Sequence, residues 1–248
     1  MANSNEKDGE RNEFAELMAN WEQKEPITKT YKVDKQEKEI TINHKENYFI
    51  PDGIVNEEKW EKLPFEKRIL FILKEAYEDD HNKDKWSLNE ELNKSGPWST
   101  IWYRVCEWTY GILKSSDKEI EKFCPYEKNN EDMCDIIRNI AVMNIKKSGG
   151  ESKSTYEEIS AYAYADREEI VREIELIDPG IIVCGSTFKD INRITDNKIK
   201  KEKESNDNWF YYSDAIGNKK RLYIDYYHPA LLSYYGIVGI YQQAMKEK

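Results

Sequence analysis

Four short apolar runs, each separated from the next by helix-patterned sequence, constrain the fold of this chain more than any other feature. Arg68 to Leu73, Ile140-Ala141-Val142-Met143, Ile181-Ile182-Val183-Cys184 and Leu222-Tyr223-Ile224 are continuous rather than alternating. A strand with one wet face alternates apolar and polar residues, whereas a strand buried on both faces has no reason to. Helical spacing fills the intervals from Trp98 to Leu113, Asp132 to Arg138 and Asp166 to Ile177, the last with Ile170, Val171, Ile174 and Ile177 as its apolar stripe. Such alternation predicts an α/β domain of three layers, α/β/α, around a central, mostly parallel four-stranded sheet. Ligands of such sheets bind beyond the carboxyl ends of the strands, so the polar residues there matter most.

Upstream of the first run the signals are weaker. Phe14, Leu17, Met18 and Trp21 fall at helical spacing, and Tyr31-Lys32-Val33 with Glu39-Ile40-Thr41-Ile42 reads as a β-hairpin. Residues 1–55 are therefore expected to be a helix-and-hairpin extension with no assigned chemistry. Residues 56–248 form the main domain, opening with a short polar helix from Asn56 to Lys67. Hydrophobic residues at 39%, with 17 Tyr and 7 Trp, suffice for one packed core despite a charged fraction of 35%. No apolar run reaches about 18 residues and no signal-peptide core is visible, so a cytoplasmic monomer without membrane contact is expected. Cys106, Cys124, Cys134 and Cys184 show no CxxC spacing, which points to buried thiols and no structural metal. A net charge of -10 argues against a broad nonspecific phosphate-binding surface. A local basic groove is still compatible with Lys146-Lys147, Lys198, Lys200-Lys201 and Lys219-Lys220-Arg221.

The segments that follow the four runs are Lys74-Glu75-Ala76-Tyr77-Glu78-Asp79-Asp80-His81, Asn144-Ile145-Lys146-Lys147-Ser148-Gly149-Gly150, Gly185-Ser186-Thr187 and Tyr227-His228-Pro229-Ala230. In this order they resemble the uracil-DNA glycosylase superfamily, most closely its bacterial and archaeal iron-sulfur branch, over about two thirds of the chain. Glu75-Ala76 is similar to that branch's Gly-Glu-Ala-Pro-Gly loop, without its glycines and proline. Gly96-Pro97-Trp98 resembles its Pro-Phe landmark, with Trp98 in place of the phenylalanine. Pro179 to Gly185 is similar to its Pro, apolar strand, Gly pattern. Tyr227-His228-Pro229-Ala230-Leu231-Leu232 resembles its His-Pro-Ser-x-Leu-Leu, with Ala230 for the serine. The cluster cysteines are missing, Ser148 following Lys147 where one is expected, so no iron-sulfur cluster and no other cofactor is expected. Ala76 occupies the position of a water-activating Asp or Asn in other branches, which leaves both the catalytic acid and the base specificity open.

The resemblance implies a monofunctional DNA glycosylase that flips a nucleotide out of DNA and hydrolyses its glycosidic bond, leaving an abasic site. Asn144 would read the pyrimidine edge through its amide, or else be a turn residue. His228 would donate a hydrogen bond to the departing base anion, or else be a structural histidine bonded to backbone. Glu75 would orient water or support the oxocarbenium-like sugar, with Asp79 the chief rival in a run that also holds Glu78 and Asp80; a solvated acidic turn is the bland alternative. Trp98 would stack on the base, or else be a core aromatic opening a helix, and Tyr77 would line the pocket. Lys146, Lys147 and Ser148 would meet phosphate or else lie in a flexible solvated loop, and Leu231 or Leu232 would wedge into the stack or else belong to a helix core. Two other readings stay open: a binding module with the same fold but no catalysis, and an interaction protein whose acidic surface meets a basic partner.

Overall fold

The computed structural model describes residues 4–33, 36–45, 49–77, 86–125, 135–150, 155–200, 209–231 and 233–248. The four apolar runs become β4 (Ile69–Tyr77), β5 (Ile140–Gly150), β6 (Ile181–Gly185) and β8 (Arg221–Tyr226). They lie side by side and parallel in the order β5-β4-β6-β8, with Ile69 opposite both Ile140 and Ile181, and Ile181 opposite Leu222. The sheet has six strands, not the four expected. β3 (Gly53–Ile54) pairs antiparallel with β5 on one edge, and β7 (Phe210–Ser213) with β8 on the other. Both were illegible as strands, one being two residues long and the other adjoining a lysine-rich stretch. They cover the open edges, where unpaired N–H and C=O groups would otherwise face solvent.

Within β4 the side chains alternate between two cores. Phe71 and Leu73 join Val142, Val183 and Ile224 on one face, beneath α3 (Leu88–Ser95), α4 (Thr100–Lys114) and α8 (Tyr234–Glu247). Leu70 and Ile72 join Ala141, Met143, Ile182 and Tyr223 on the other, covered by α1 (Ser4–Glu22), α5 (Tyr156–Ala165), α6 (Arg167–Ile177) and α7 (Phe188–Ile194). Each such fully buried apolar side chain contributes about 1.5–3 kcal/mol, which is why the runs are continuous. Helices on both faces of one sheet give three layers. The predicted polar helix from Asn56 splits into α2 (Glu57–Lys62), capped by the Asn56 side chain on Lys59 N–H, and a 3₁₀ turn at Phe65–Lys67 beyond Pro64. Of the predicted helix from Asp132, residues 132–134 lie outside the described range and Ile137–Asn139 is a 3₁₀ turn.

The hairpin forms as β1 (Ile27–Val33) and β2 (Gln36–Ile42), a separate two-stranded sheet. It is tied to the body by buried His44, whose Nε2 lies 2.9 Å from Asp166, and by Lys24, 2.8 Å from the same carboxylate. No helix among the described residues is long and apolar enough to cross a membrane. Gly180, at the entry to β6, is fixed by close approach. A Cβ there would sit 1.9 Å from the Phe65 carbonyl oxygen and 2.7 Å from its carbon. Because that neighbour is backbone, Gly180→Ala is expected to lower stability by about 1–3 kcal/mol, read as a fall in the urea midpoint at unchanged slope.

Candidate functional site

The carboxyl ends of the four parallel strands share one edge, and this edge carries most of the predicted residues. Two strand ends run further than expected. β5 continues through Lys146, Lys147 and Ser148 to Gly150, so Asn144 is an interior strand residue opposite Leu73. The polar and glycine-rich tail of β5 reads as a loop, yet it is strand because each polar side chain finds a buried partner. β4 runs to Tyr77, with an irregularity in register between Glu75 and Tyr77. Bulges of this kind re-aim side chains near binding sites. Here Ala76 packs against the same core as Leu73.

His228 is held from two sides. Its backbone N–H donates to Ser186 Oγ at 2.9 Å, and its Nδ1 accepts from Ala230 N–H at 3.2 Å. An accepting Nδ1 places the ring proton on Nε2. Among the described residues no hydrogen bond is made by Nε2, which leaves one N–H donor to offer. Burial, and secondarily the Lys74 ammonium, push the imidazole down from 6.5 to about 4, so the ring is neutral at pH 7. Ser186 adopts a left-handed backbone (φ 62°), and its N–H reaches Tyr226 O at 2.7 Å, locking the end of β6 to that of β8. Arg104 on α4 donates to Pro229 O at 2.8 Å. Gly185 leaves room for Pro229: a Cβ there would meet Leu73 Cδ2 at 2.7 Å and Pro229 Cδ at 3.3 Å. In an NMR pH titration the His228 ring should titrate near 4 rather than 6.5. Its unfolded state then binds more protons between those values, so this group removes stability as pH falls through that window.

Asn144 is held by its neighbours. Its backbone N–H donates to Asp52 at 2.7 Å, while its Oδ1 is buried without a partner. Leaving such an oxygen unsatisfied costs about 1–3 kcal/mol. Asp52 also binds Lys147, which lies 2.7 Å from Glu173; all three side chains are wholly buried. The Trp21 ring covers the Lys147 ammonium at 4.9 Å. Burial pushes the Glu173 carboxyl well above the usual carboxylate range, against the pull of Lys147 and with help from Asp52.

The three residues expected to grip phosphate are therefore withdrawn from the surface. Lys147 serves this triad, and Ser148 Oγ donates to Tyr162 Oη at 3.2 Å. Lys146 joins Glu75 at 2.9 Å and Glu158 at 2.7 Å. Glu75 is consequently a paired, nearly buried carboxylate, and Gly150 exists to admit it, since a Cβ there would lie 2.2 Å from Glu75 Cδ. This corrects the expectation of a free acid on a loop. Tyr77 ends β4; its side chain, together with Glu78, Asp79, Asp80, His81 and Leu232, lies outside the described residues.

α4 runs opposite to the strands. Its last carbonyls, of Ile112 and Leu113, accept from Lys67 ahead of β4, whereas Arg104 reaches Pro229. Trp98, just before α4, thus stands at the carboxyl rim, 44% exposed and tilted on Trp102 at 5.8 Å. Leu231 is 66% exposed at the tip of the turn closed by its N–H on His228 O. Asn144 and His228 belong to strands three spacings apart, about 14 Å, with apolar Leu73 and side-chain-free Gly185 between them.

Sequence reading overlooked Ser186, Arg104 and Asp52. The first sat in a recognised turn, but Asp52 gave no local signal, because its partners lie about ninety positions away. Two cavities, of about 660 and 850 Å³, open at the opposite end of the sheet. Of their polar lining, Lys67 is committed to carbonyls and Tyr241, and Arg221 to Asp178. Among the described residues no group of three or more His, Cys, Asp or Glu is placed to hold a metal ion. No known family model matches the chain, and no curated protein sequence matches it.

Proposed function

We propose that this protein is a DNA glycosylase of the uracil-DNA glycosylase type, acting on a modified or damaged pyrimidine, such as a bulky modified base of phage DNA. One observation carries the reading: a neutral imidazole with its Nε2–H unspent stands on the same rim as an asparagine whose buried oxygen lacks a partner. Between them lie apolar Leu73 and Pro229, packed over Gly185. In the reaction the glycosidic C–N bond breaks with its electron pair going to the base. His228 Nε2–H stabilises the resulting anion, and Asn144 holds the pyrimidine edge. Water then adds to the oxocarbenium-like C1′ and loses a proton, leaving an abasic sugar. Glu75, fixed by Lys146, suits electrostatic support of that cation better than proton abstraction, which keeps Asp79 as the candidate base.

A second reading, a binding module without catalysis, is favoured by the Ala76 methyl at the acid position and by the Lys146–Glu75 pairing. Incubation with oligonucleotides containing uracil, hypoxanthine or modified cytosines, followed by abasic-site detection, separates the two. Product that vanishes in Asn144→Ala and His228→Ala supports the enzyme. Product indifferent to both changes sinks the site, and binding without product on any base supports the module.

A further inference from the structure

We propose that Trp209 and Tyr227 form a second stacking platform, for a base beside the one in the pocket, and that the DNA taken by this rim is single-stranded. The proposal rests on the reading that the rim receives DNA, and it names the class of strand. Trp209 is 36% exposed and Tyr227 42%, with ring centroids 5.5 Å apart. Tyr227 immediately precedes His228, so its backbone adjoins that residue at the rim. Two large rings left this exposed forgo packing contacts that a core position would supply.

Their support is rigid. Tyr226, buried, stands edge-on to Tyr227 at 5.5 Å and to Trp209 at 6.2 Å, and is itself edge-on to fully buried Trp108 at 5.4 Å. The Tyr226 hydroxyl donates to Ser233 O, in a space that only Gly236 leaves free, since a Cβ there would lie 2.0 Å from it. The Trp209 carbonyl accepts from Asp225 N–H at 2.9 Å. A row of aromatics thus runs from the core to the rim and ends in open rings.

Charge decides which nucleic acid such a platform fits. Duplex binding draws its affinity from cations laid along phosphates. Here Lys146 and Lys147 are buried among carboxylates, Arg104 is given to a carbonyl, and the chain carries a net charge of -10. Among the described residues Lys74, near His228, is a cation not committed in this way, and the exposed aromatics offer stacking beside it. Stacking requires bases whose faces are uncovered, which a duplex does not offer and a single strand does.

The test is fluorescence anisotropy of a labelled fifteen-nucleotide oligothymidylate, and of its duplex with oligoadenylate, against the full chain. Trp209→Ala and Tyr227→Ala should each weaken single-strand binding by roughly five- to a hundredfold, while Trp209→Phe and Tyr227→Phe stay within about threefold. The duplex should bind at least about tenfold more weakly, and raising salt should weaken single-strand binding with a log–log slope no steeper than about -1.4, as for two phosphates. Absence of single-strand binding, alanine variants that bind like the parent, or equal binding of the duplex would each overturn the proposal. A dimer on a sizing column that Trp209→Ala dissolves would overturn it too, assigning the rings to a second copy of the chain. Ring-dependent binding without any base release would leave the platform standing and defeat the glycosylase. Base release that His228→Ala abolishes, with binding indifferent to both rings, would do the reverse.

Discussion

His228→Ala is expected to slow base release by about 10²–10³-fold, the usual effect of removing one donor aimed at a developing oxyanion. The loss should fall on the single-turnover rate, with binding of the substrate oligonucleotide nearly unchanged, because the Nε2–H bond strengthens only as negative charge accumulates on the departing base. Its pH behaviour is also defined. With the ring held at about 4, His228 stays neutral from about pH 5 to 8, so the ratio of parent to variant rates should be flat over that range. A ratio that bends near 6.5 would mean an ordinary solvated histidine, and an unchanged rate would remove His228 from the mechanism. Ser186→Ala, which deletes the hydroxyl bonded to the His228 N–H, should give a smaller defect of the same kind.

Lys147→Met is the variant expected to damage the fold most. It leaves the Asp52 and Glu173 carboxylates facing each other in a wholly buried site, and breaking one partner out of such a group costs about 3–5 kcal/mol. That is a large share of the roughly 5–15 kcal/mol that stabilises a domain. Urea denaturation at pH 7 measures it. The loss should deepen with rising pH: an acid with a raised folded pKa binds its proton more tightly in the native state, so its stabilisation is present at low pH and lost as pH rises through the folded value. Combining Lys147→Met with Asp52→Asn and Glu173→Gln should restore much of the stability, since burying neutral groups avoids the uncompensated charge. A single Lys147→Met within about 1 kcal/mol of the parent would contradict the triad.

What was legible in the sequence follows from how local each signal is. The four inner strands announced themselves because burial on both faces demands continuous apolar residues, as in Ile69 to Leu73. The edge strands did not: Gly53–Ile54 is defined only by its pairing with Ala141 and Val142, far along the chain. His228 stood out as a candidate from its place before Pro229 at a strand end, and the structure adds its hydrogen-bond partners and the burial that lowers its pKa. Lys146 and Lys147 were misjudged for a physical reason. A Lys-Lys-Ser-Gly-Gly run normally lies in solvent, and only acids supplied from elsewhere, Glu75, Glu158, Asp52 and Glu173, make burial tolerable. Glu75 was misjudged for the same reason, its partner being on the neighbouring strand.

The buried triad also sets an order of events for the newborn chain. Asp52 is separated by 92 residues from the Asn144 N–H it accepts from and by 95 from Lys147, and His44 by 122 from Asp166. Contacts of such long range close late, because the intervening loop's entropy must be spent before they form. The segment carrying His44 and Asp52 is made before its partners and waits without them until β5 and α6 have emerged. The Asn144 N–H finds its acceptor once Asp52 and β5 meet, so this strand's support depends on a segment made well before it.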